Sequence, residues 1–576
     1  MSANNQSFNK IANGEPKKIL LGMLPYWPAQ IPPVGISCLK SYLTPRGFNV
    51  KVFDCTVNVA FKILYDKYFA VLENIIPPNK KGNFYGIGLD VIRNHLMAHI
   101  NYKDETDYKE LIRIIVNKTF FTEINDQAIK TLICFADDFY SILKELIINY
   151  IETEKPDVFG LSVFSGNVPA SLYAFRLVKS RYPHILTVMG GGIFSDQLAE
   201  NTPNHEYFLQ RTEDCIDKII IGEGEKLFYK LLQGEFPENK RVITLNDINK
   251  EVMDLSTLDI PDFTDLDLNC YPYSSGFSSR SCLYQCGFCS ETVMWGKYRK
   301  KSPQQTVEEF VKLFNRDKRQ LFSLSDSLLN PIINKLSVEF VQSPLAIYWD
   351  ACLRACKEAC DIDNVYLWRK AGFYKAWLGL ESGSQKVLDL MDKRITIDLI
   401  QNSVRTLASM GIKTATLWLI GYPGETEDDF KQTLDLIEEL KDDIYDAEGT
   451  PFWYFLKGQP KSGTWENQDK SMLLYPDKAA ESLIIQTWIL DSEPRREMIY
   501  NRLSRFIEHL NKCGIPNPYT LHDMYKADER WKKLHENAVP SIIEFKDNAK
   551  YIDECKSIKK VRHLETVNIE RGEFNF

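Results

Sequence analysis

Residues 278–292 read SSRSCLYQCGFCSET, a stretch in which Cys282, Cys286 and Cys289 form a CxxxCxxC triplet. Gly287 and the polar residues Ser281, Gln285 and Ser290 make the segment a loop and not the face of a core helix or strand. Three thiolates so close together, with no fourth ligand beside them, leave one metal position to something other than a neighbouring side chain. The spacing allows an iron–sulfur cluster with an open iron, a zinc ion closed by a remote group such as Cys270 or a histidine, or three packed thiols.

Upstream of the triplet, residues 17–55 (KKILLGMLPYWPAQIPPVGISCLKSYLTPRGFNVKVFDC) parse as strand, Pro-rich loop, helix, Gly47 turn and strand. A second such unit begins at Lys155 and ends in the Gly190-Gly191-Gly192 turn of MGGGIFS. A third strand, IIIGEGE, turns at Gly222 and Glu223 into a helix. Buried strands alternating with helices predict a parallel, doubly wound α/β sheet whose ligands bind beyond the carboxyl ends of the strands, where these glycines fall. Residues 56–150 carry helical periodicity and are too long for a plain loop, which predicts an inserted helical cap. From residue 276 to about 456 strand and helix patterns alternate again, the rhythm of a barrel or partial barrel.

Composition narrows the class. The 576 residues are 44% hydrophobic, enough for several cores. No apolar run reaches the roughly 18 residues of a membrane span, and the polar start MSANNQSFNKIANGEPKK offers no signal peptide, so a cytoplasmic protein is expected. Thirteen scattered cysteines fit reduced thiols and a cluster, not a disulfide framework. The net charge of -8 argues against general nucleic-acid binding. The basic run Lys297, Arg299, Lys300 and Lys301 reads as a solvated loop.

With the triplet, the glycine turns and the second set of strands in this order, the chain resembles the cobalamin (B12)-binding-domain-containing radical S-adenosylmethionine (SAM) enzymes, called class B when they transfer methyl groups. The likeness covers residues 17–55, 155–235 and 276–440. It implies a polar tail at 1–16 and a Rossmann-like B12-binding domain at 17–240 with the helical insertion at 56–150. After a linker at 241–275 it implies a radical SAM partial (β/α)6 barrel at 276–465 and a helical C-terminal domain at 466–576.

The resemblance also implies roles. Cys282, Cys286 and Cys289 would hold a [4Fe–4S] cluster whose open iron takes SAM, so that one electron, from a donor such as flavodoxin or ferredoxin, generates a 5'-deoxyadenosyl radical. SAM contacts are expected from Phe288, Arg354 on IYWDACLR, Glu381 and Ser382 in GLESGS, and Gly421 and Pro423 in LIGYPGE. Ser325 and Asp326 in FSLSDS join that set, although this segment departs from the family's familiar GGE form. Cobalamin contacts are expected from Tyr26, Trp27, Ser162, Ser165, Gly190, Gly191, Gly192, Gly222 and Glu223. The DxHxxG motif that supplies a histidine to cobalt is missing from the sequence.

The implied activity is methylation of an unactivated carbon in a peptide or small natural-product substrate. Radical cyclisation, rearrangement or oxidation, with or without cobalamin, is the alternative, and a non-catalytic corrinoid or redox sensor is the reading from another class. A methylthiotransferase fits less well, because the N-terminal domain has no second cysteine triplet. Cys352, Cys356 and Cys360, spaced by four, would share a face if helical and could then hold a second cluster.

Overall fold

The computed structural model describes residues 16–26, 30–468, 470–518 and 521–538. The N-terminal sheet is built from β1 (Lys18–Met23), β2 (Asn49–Asp54), β3 (Val158–Ser162), β4 (Leu186–Gly190), β5 (Lys218–Ile221) and β6 (Val242–Thr244). Its order is β2-β1-β3-β4-β5-β6, and every neighbouring pair is parallel. The apolar runs follow from this, since strands covered by helices on both faces bury nearly every side chain, as β1 does from Ile19 to Leu21. The order reverses between β1 and β3, so the crevice at their carboxyl ends is where such a sheet takes a ligand.

Helix α1 (Val34–Leu43) joins β1 to β2. Four helices then fill the insertion: α2 (Val59–Ile75), α3 (Phe84–Asn101), α4 (Glu105–Phe120) and α5 (Asp126–Glu154). Asp104 caps α4 by accepting from the Thr106 and Asp107 amides, and Asn125 caps α5 through the Ala128 amide. A buried chain of side chains crosses this cap, with Tyr68 and Tyr108 hydroxyls on the two ring nitrogens of His95 at 3.1 and 2.8 Å. Burial drives His95 down to about 3, so it stays neutral and serves packing.

The second sheet has the order β14-β13-β12-β11-β10-β7, again all parallel. Its strands are β7 (Ser274–Gly276), β10 (Leu321–Leu324), β11 (Tyr348–Leu353), β12 (Phe373–Glu381), β13 (Lys413–Ile420) and β14 (Asp446–Pro451). A short antiparallel pair, β8 (Ser279–Arg280) with β9 (Arg299–Lys300), ties the base of the cysteine loop. The stretch read as linker is therefore partly sheet, with β6 extending the first domain and β7 opening the second. The C-terminal region carries the helices Arg496–Cys513 and Leu521–Leu534, but also an unforeseen antiparallel pair, β15 (Ser471–Leu473) and β16 (Trp488–Leu490). Among the described residues no helix is long and apolar enough to cross a membrane.

Two buried ion pairs fasten the C-terminal helices to the second sheet. Helix Leu521–Leu534 brings Asp528 to Lys413 at 2.5 Å, at the amino ends of the strands, where Tyr445 also donates to Asp528 at 2.9 Å. Helix Arg496–Cys513 brings Arg502 to Glu425 at 2.8 Å, with 2% and 1% of the side chains exposed. Removing one partner of so buried a pair strands the other charge, so Arg502→Met should cost about 3–5 kcal/mol. The urea midpoint measures it, and an unchanged midpoint would show that Glu425 does not need this cation.

Candidate active site at the facing carboxyl ends

The cysteine loop runs from β8 to the short helix Glu291–Trp295. Cys286 is buried, and Cys282 and Cys289 are half-buried. Burial pushes the Cys289 thiol up to about 12 and raises Cys282 as well, so binding a metal group here must displace protons. The Tyr284 amide points at Cys282 Sγ at 3.4 Å, and Arg354 Nη1 at Cys286 Sγ at 3.6 Å. Among the described residues no three His, Cys, Asp or Glu side chains converge as ligands of one metal ion. A cubane instead takes its thiolates on separate irons, as this spread loop permits.

The loop is seated by the other motifs. The Gly287 amide donates to the Met391 carbonyl at 2.8 Å, and the Phe288 carbonyl accepts from Gln459 Nε2 at 2.9 Å. A Cβ on Gly287 would lie 2.7 Å from both the Tyr422 hydroxyl and Lys461 Cδ, so a larger residue would have to push those side-chain ends aside. Phe288 packs with Tyr422, Met391 and Leu419, so the triplet, the turn after GLESGS and the GYPGE turn share one apolar cluster.

Arg354, 6% exposed, lies 3.8 Å over the Tyr284 ring, and its Nη2 has no hydrogen-bond partner among the described residues. Glu381 adopts φ 65° at the end of β12 and pairs with Lys393 at 2.7 Å. Gly421 has φ 83°, and its amide donates to Glu425 at 2.9 Å; Pro423 follows in the same turn.

Other expected SAM contacts are engaged elsewhere. Asp326 is 2% exposed and accepts from the Ser278 amide at 2.9 Å and the Ser278 hydroxyl at 2.6 Å, as well as from Ser279, so it holds the approach to the cysteine loop. Ser382 is fully buried against Thr433. Ser325 bonds the Ser275 hydroxyl at 2.8 Å while still lining the cavity described next.

A cavity of about 540 Å³ separates the two sheets. On one side it is lined by the carboxyl ends of β1, β3, β4 and β5, including Ser162, Gly190, Gly191, Gly192, Gly222 and Glu223. On the other it is lined by Phe277, Arg280, Glu291, Met294, Trp295 and Ser325. Gly191 has φ 114°, and a Cβ there would lie 2.4 Å from the Val163 nitrogen and oxygen, so only glycine fits this turn. Glu223 lines the cavity, but its carboxylate is committed: it pairs with Arg299 and, at 3.4 Å, with Arg280, and accepts the Met253 amide at 2.8 Å. Burial pushes Glu223 up, yet the two guanidiniums hold it below the usual carboxylate range. Arg280 also pairs with Glu225.

Ser165 faces away from the cavity and accepts from Arg93 of α3 at 2.8 Å. Tyr26 stands against Gly166, and Trp27 lies outside the described residues. Sequence reasoning missed Phe164, 42% exposed on the cavity wall, and the arginine clamp. The basic run is not simply solvated: Arg299 belongs to that clamp, and Lys301, 1% exposed, pairs with Glu309. Cys352 lies on β11, and Cys356 and Cys360 follow outside any α-helix, so the three share no helical face.

Comparison with known proteins matches residues 277–437 to the Radical SAM superfamily and residues 134–232 to the B12 binding domain. The chain therefore carries a B12-binding domain followed by a radical SAM domain. It is 26% identical over 416 residues to the anaerobic magnesium-protoporphyrin IX monomethyl ester cyclase of Rubrivivax gelatinosus, covering 67% of this chain and 70% of that one. Such curated relatives are spanned over 50 to 70% of their length. In fold it is similar to the cobalamin-dependent SAM radical enzyme OxsB, with a TM-score of 0.56 at 15% identity over 95% of this chain and 72% of that one. It is also similar to the radical SAM methyltransferase TsrM from Kitasatospora setae, with a TM-score of 0.54 at 14% identity over 92% and 90%.

These two domains imply a [4Fe–4S] cluster and SAM at the barrel and cobalamin at the N-terminal sheet. The residues present fit these groups: three thiols on one loop, an orphaned guanidinium nitrogen beside them, and a glycine-lined cavity at the switch point of the first sheet. Gly191→Ala forces a side chain into a left-handed turn against backbone, a strain of at least about 1–3 kcal/mol. Cobalamin retained through gel filtration should fall sharply while bound iron is unchanged; full retention would place the cofactor away from this turn.

Proposed function

We propose that this radical SAM protein transfers a methyl group, through cobalamin, to an unactivated carbon of a peptide or small natural-product substrate. The observation that carries the reading is the cavity between the facing carboxyl ends, which is lined by glycine turns of the B12-binding domain and by the helix that follows the cysteine loop. When bound, the cluster supplies the electron that cleaves SAM and cobalamin carries the methyl group. The protein is proposed to work in the cytoplasm with a flavodoxin- or ferredoxin-type electron donor.

The chain's own residues orient and enclose. Arg354 holds its guanidinium beside Cys286 with Nη2 free to take the SAM carboxylate. Phe288 offers a ring to the adenine, flanked by Tyr422. Glu381 is held by Lys393 and is placed for the ribose or amino group. Gly421 and Pro423 shape the turn beneath, while Ser325 borders both the barrel end and the cavity. The cap and the β15–β16 pair are proposed to close over the bound substrate and keep water from the reacting groups.

The likeness to a cyclase favours a second reading, oxidative ring closure on the same scaffold. Product mass separates the two. Anaerobic turnover with SAM and reductant should yield 5'-deoxyadenosine and a product heavier by one methylene. A product lighter by two hydrogens would establish cyclisation or oxidation, and SAM left intact would leave only a sensing role. Arg354→Met should raise the Kd for SAM tenfold or more, matching the loss of about 1.5–3 kcal/mol for a hydrogen bond to a charged group. Bound iron should be unchanged, and an unaltered Kd would remove Arg354 from the SAM site.

A further inference from the structure

A small pocket with about 20 Å³ of free space lies apart from the large cavity. Its walls include Arg93 of α3, Asn204, Trp453, Phe455, Gln486 and Trp488. Gln486 is 8% exposed, yet neither its amide oxygen nor its amide nitrogen has a hydrogen-bond partner, and the indole nitrogen of Trp488 has none either, among the described residues. Buried amides left without partners are costly, and three such atoms around one void are more than packing explains.

The backbone around these atoms is firmly held. Asn204 donates to the Gln486 carbonyl at 2.8 Å and accepts from its amide at 3.0 Å, and Leu474 donates to the Thr487 carbonyl at 2.9 Å. Only the side-chain heads remain open. Arg93 is set in place by Asp90 at 2.8 Å and Ser165 at 2.8 Å.

Position ties the void to the reaction site. The segment that walls it includes Tyr454 and Leu456, which pack with Phe288 of the cysteine loop, and Gln459 in the same segment grips the Trp453 and Phe288 carbonyls at 2.7 and 2.9 Å. On the other side, Gln197 follows the Gly190–Gly192 turn, and Arg93 binds Ser165 beyond β3. Loops from the carboxyl ends of both sheets thus meet here.

We propose that Gln486 and Trp488 form a substrate-recognition niche that reads an amide, a carbonyl oxygen next to an N–H. The Gln486 NH2 donates to the ligand carbonyl, its oxygen accepts the ligand N–H, and the Trp488 indole N–H donates to the second lone pair of the same carbonyl. The free space takes no more than the O and N–H edge of the amide, while the aromatic walls contact what is attached to it. The niche names a substrate class for the reaction site proposed above and rests on the substrate lying at these carboxyl ends.

Two kinds of substrate carry this group, a peptide bond and a primary carboxamide. Saturation-transfer NMR on the cluster- and cobalamin-loaded protein, without SAM or reductant, tests the niche with four probes. N-acetyltryptophan methyl ester carries only the peptide-type amide and indole-3-acetamide only the primary one; N-acetyltryptophanamide carries both, and 3-methylindole neither. At least one amide probe should bind, with its Kd raised fivefold or more in Gln486→Leu and Trp488→Phe, and whichever single-amide probe binds tighter identifies the source. Gln486→Glu, of nearly the same size, should also weaken binding if it comes from the amide head and not from the fold.

Amide probes that fail to bind, or that bind all variants and 3-methylindole alike, overturn the niche and leave the void to a water molecule. Loss of cobalamin in Gln486→Leu also overturns it, since the niche would then hold one of the corrin's own amides. Because nothing is turned over, these outcomes are independent of whether the product is methylated or cyclised.

Discussion

Everything at this site depends on a double ion pair that joins the two domains. Glu223 and Glu225 stand on the turn after β5, and Arg280 and Arg299 stand opposite each other on the β8–β9 pair that closes the cysteine loop. The guanidinium of Arg280 also lies between the rings of Phe277 and Trp295, about 5 Å from each. Charges this buried contribute little net stability against apolar alternatives, but a mismatched approach would leave them stranded, so the pairs fix one orientation of sheet on sheet. The carboxyl ends then face each other across the cavity.

The second constraint is close approach. Gly191 lets the chain turn onto Val163, Gly287 lets the cysteine loop settle on Tyr422, and Gly383 lies where a Cβ would be 2.6 Å from the backbone of Gln432 and Thr433. Each brings a loop nearer to its neighbour than a Cβ would sit without a shift. Most polar groups near them are satisfied by the protein itself; among the described residues the exceptions include Arg354, Glu425, Gln486 and Trp488.

Much of this was legible in the sequence. The triplet, the strand–helix alternation and the glycine turns gave two parallel sheets and put the cysteine loop between them, because local spacing and turn chemistry act over a few residues. The roles of Asp326, Ser165 and Glu223 were not legible. Their partners are remote in the chain or turn the side chain away from the cavity: Ser278 and Ser279 lie nearly fifty residues before Asp326, and Arg299 lies 76 residues after Glu223. A carboxylate at a strand end looks the same in sequence whether it meets a ligand or an arginine. The run around Lys301 misled for the same reason, since Glu309 and Phe277 bury a residue that composition assigns to solvent. The β15–β16 pair left no signal, its strands being three residues long.

Helix α5 has 29 residues and so measures about 43 Å, whereas the five residues of β3 that follow it span about 17 Å. A crossover that only returned the chain from one end of the sheet to the other would need far less. The surplus works as a mast for the helices of the cap that pack along it, α2 above all. Tyr150 near its foot stacks on Phe53 of β2 at 4.3 Å, stepping the rod firmly on the sheet. The reach of the cap along this rod is therefore a matter of helix length, a quantity that whole turns inserted or deleted would change in increments of about 5.4 Å.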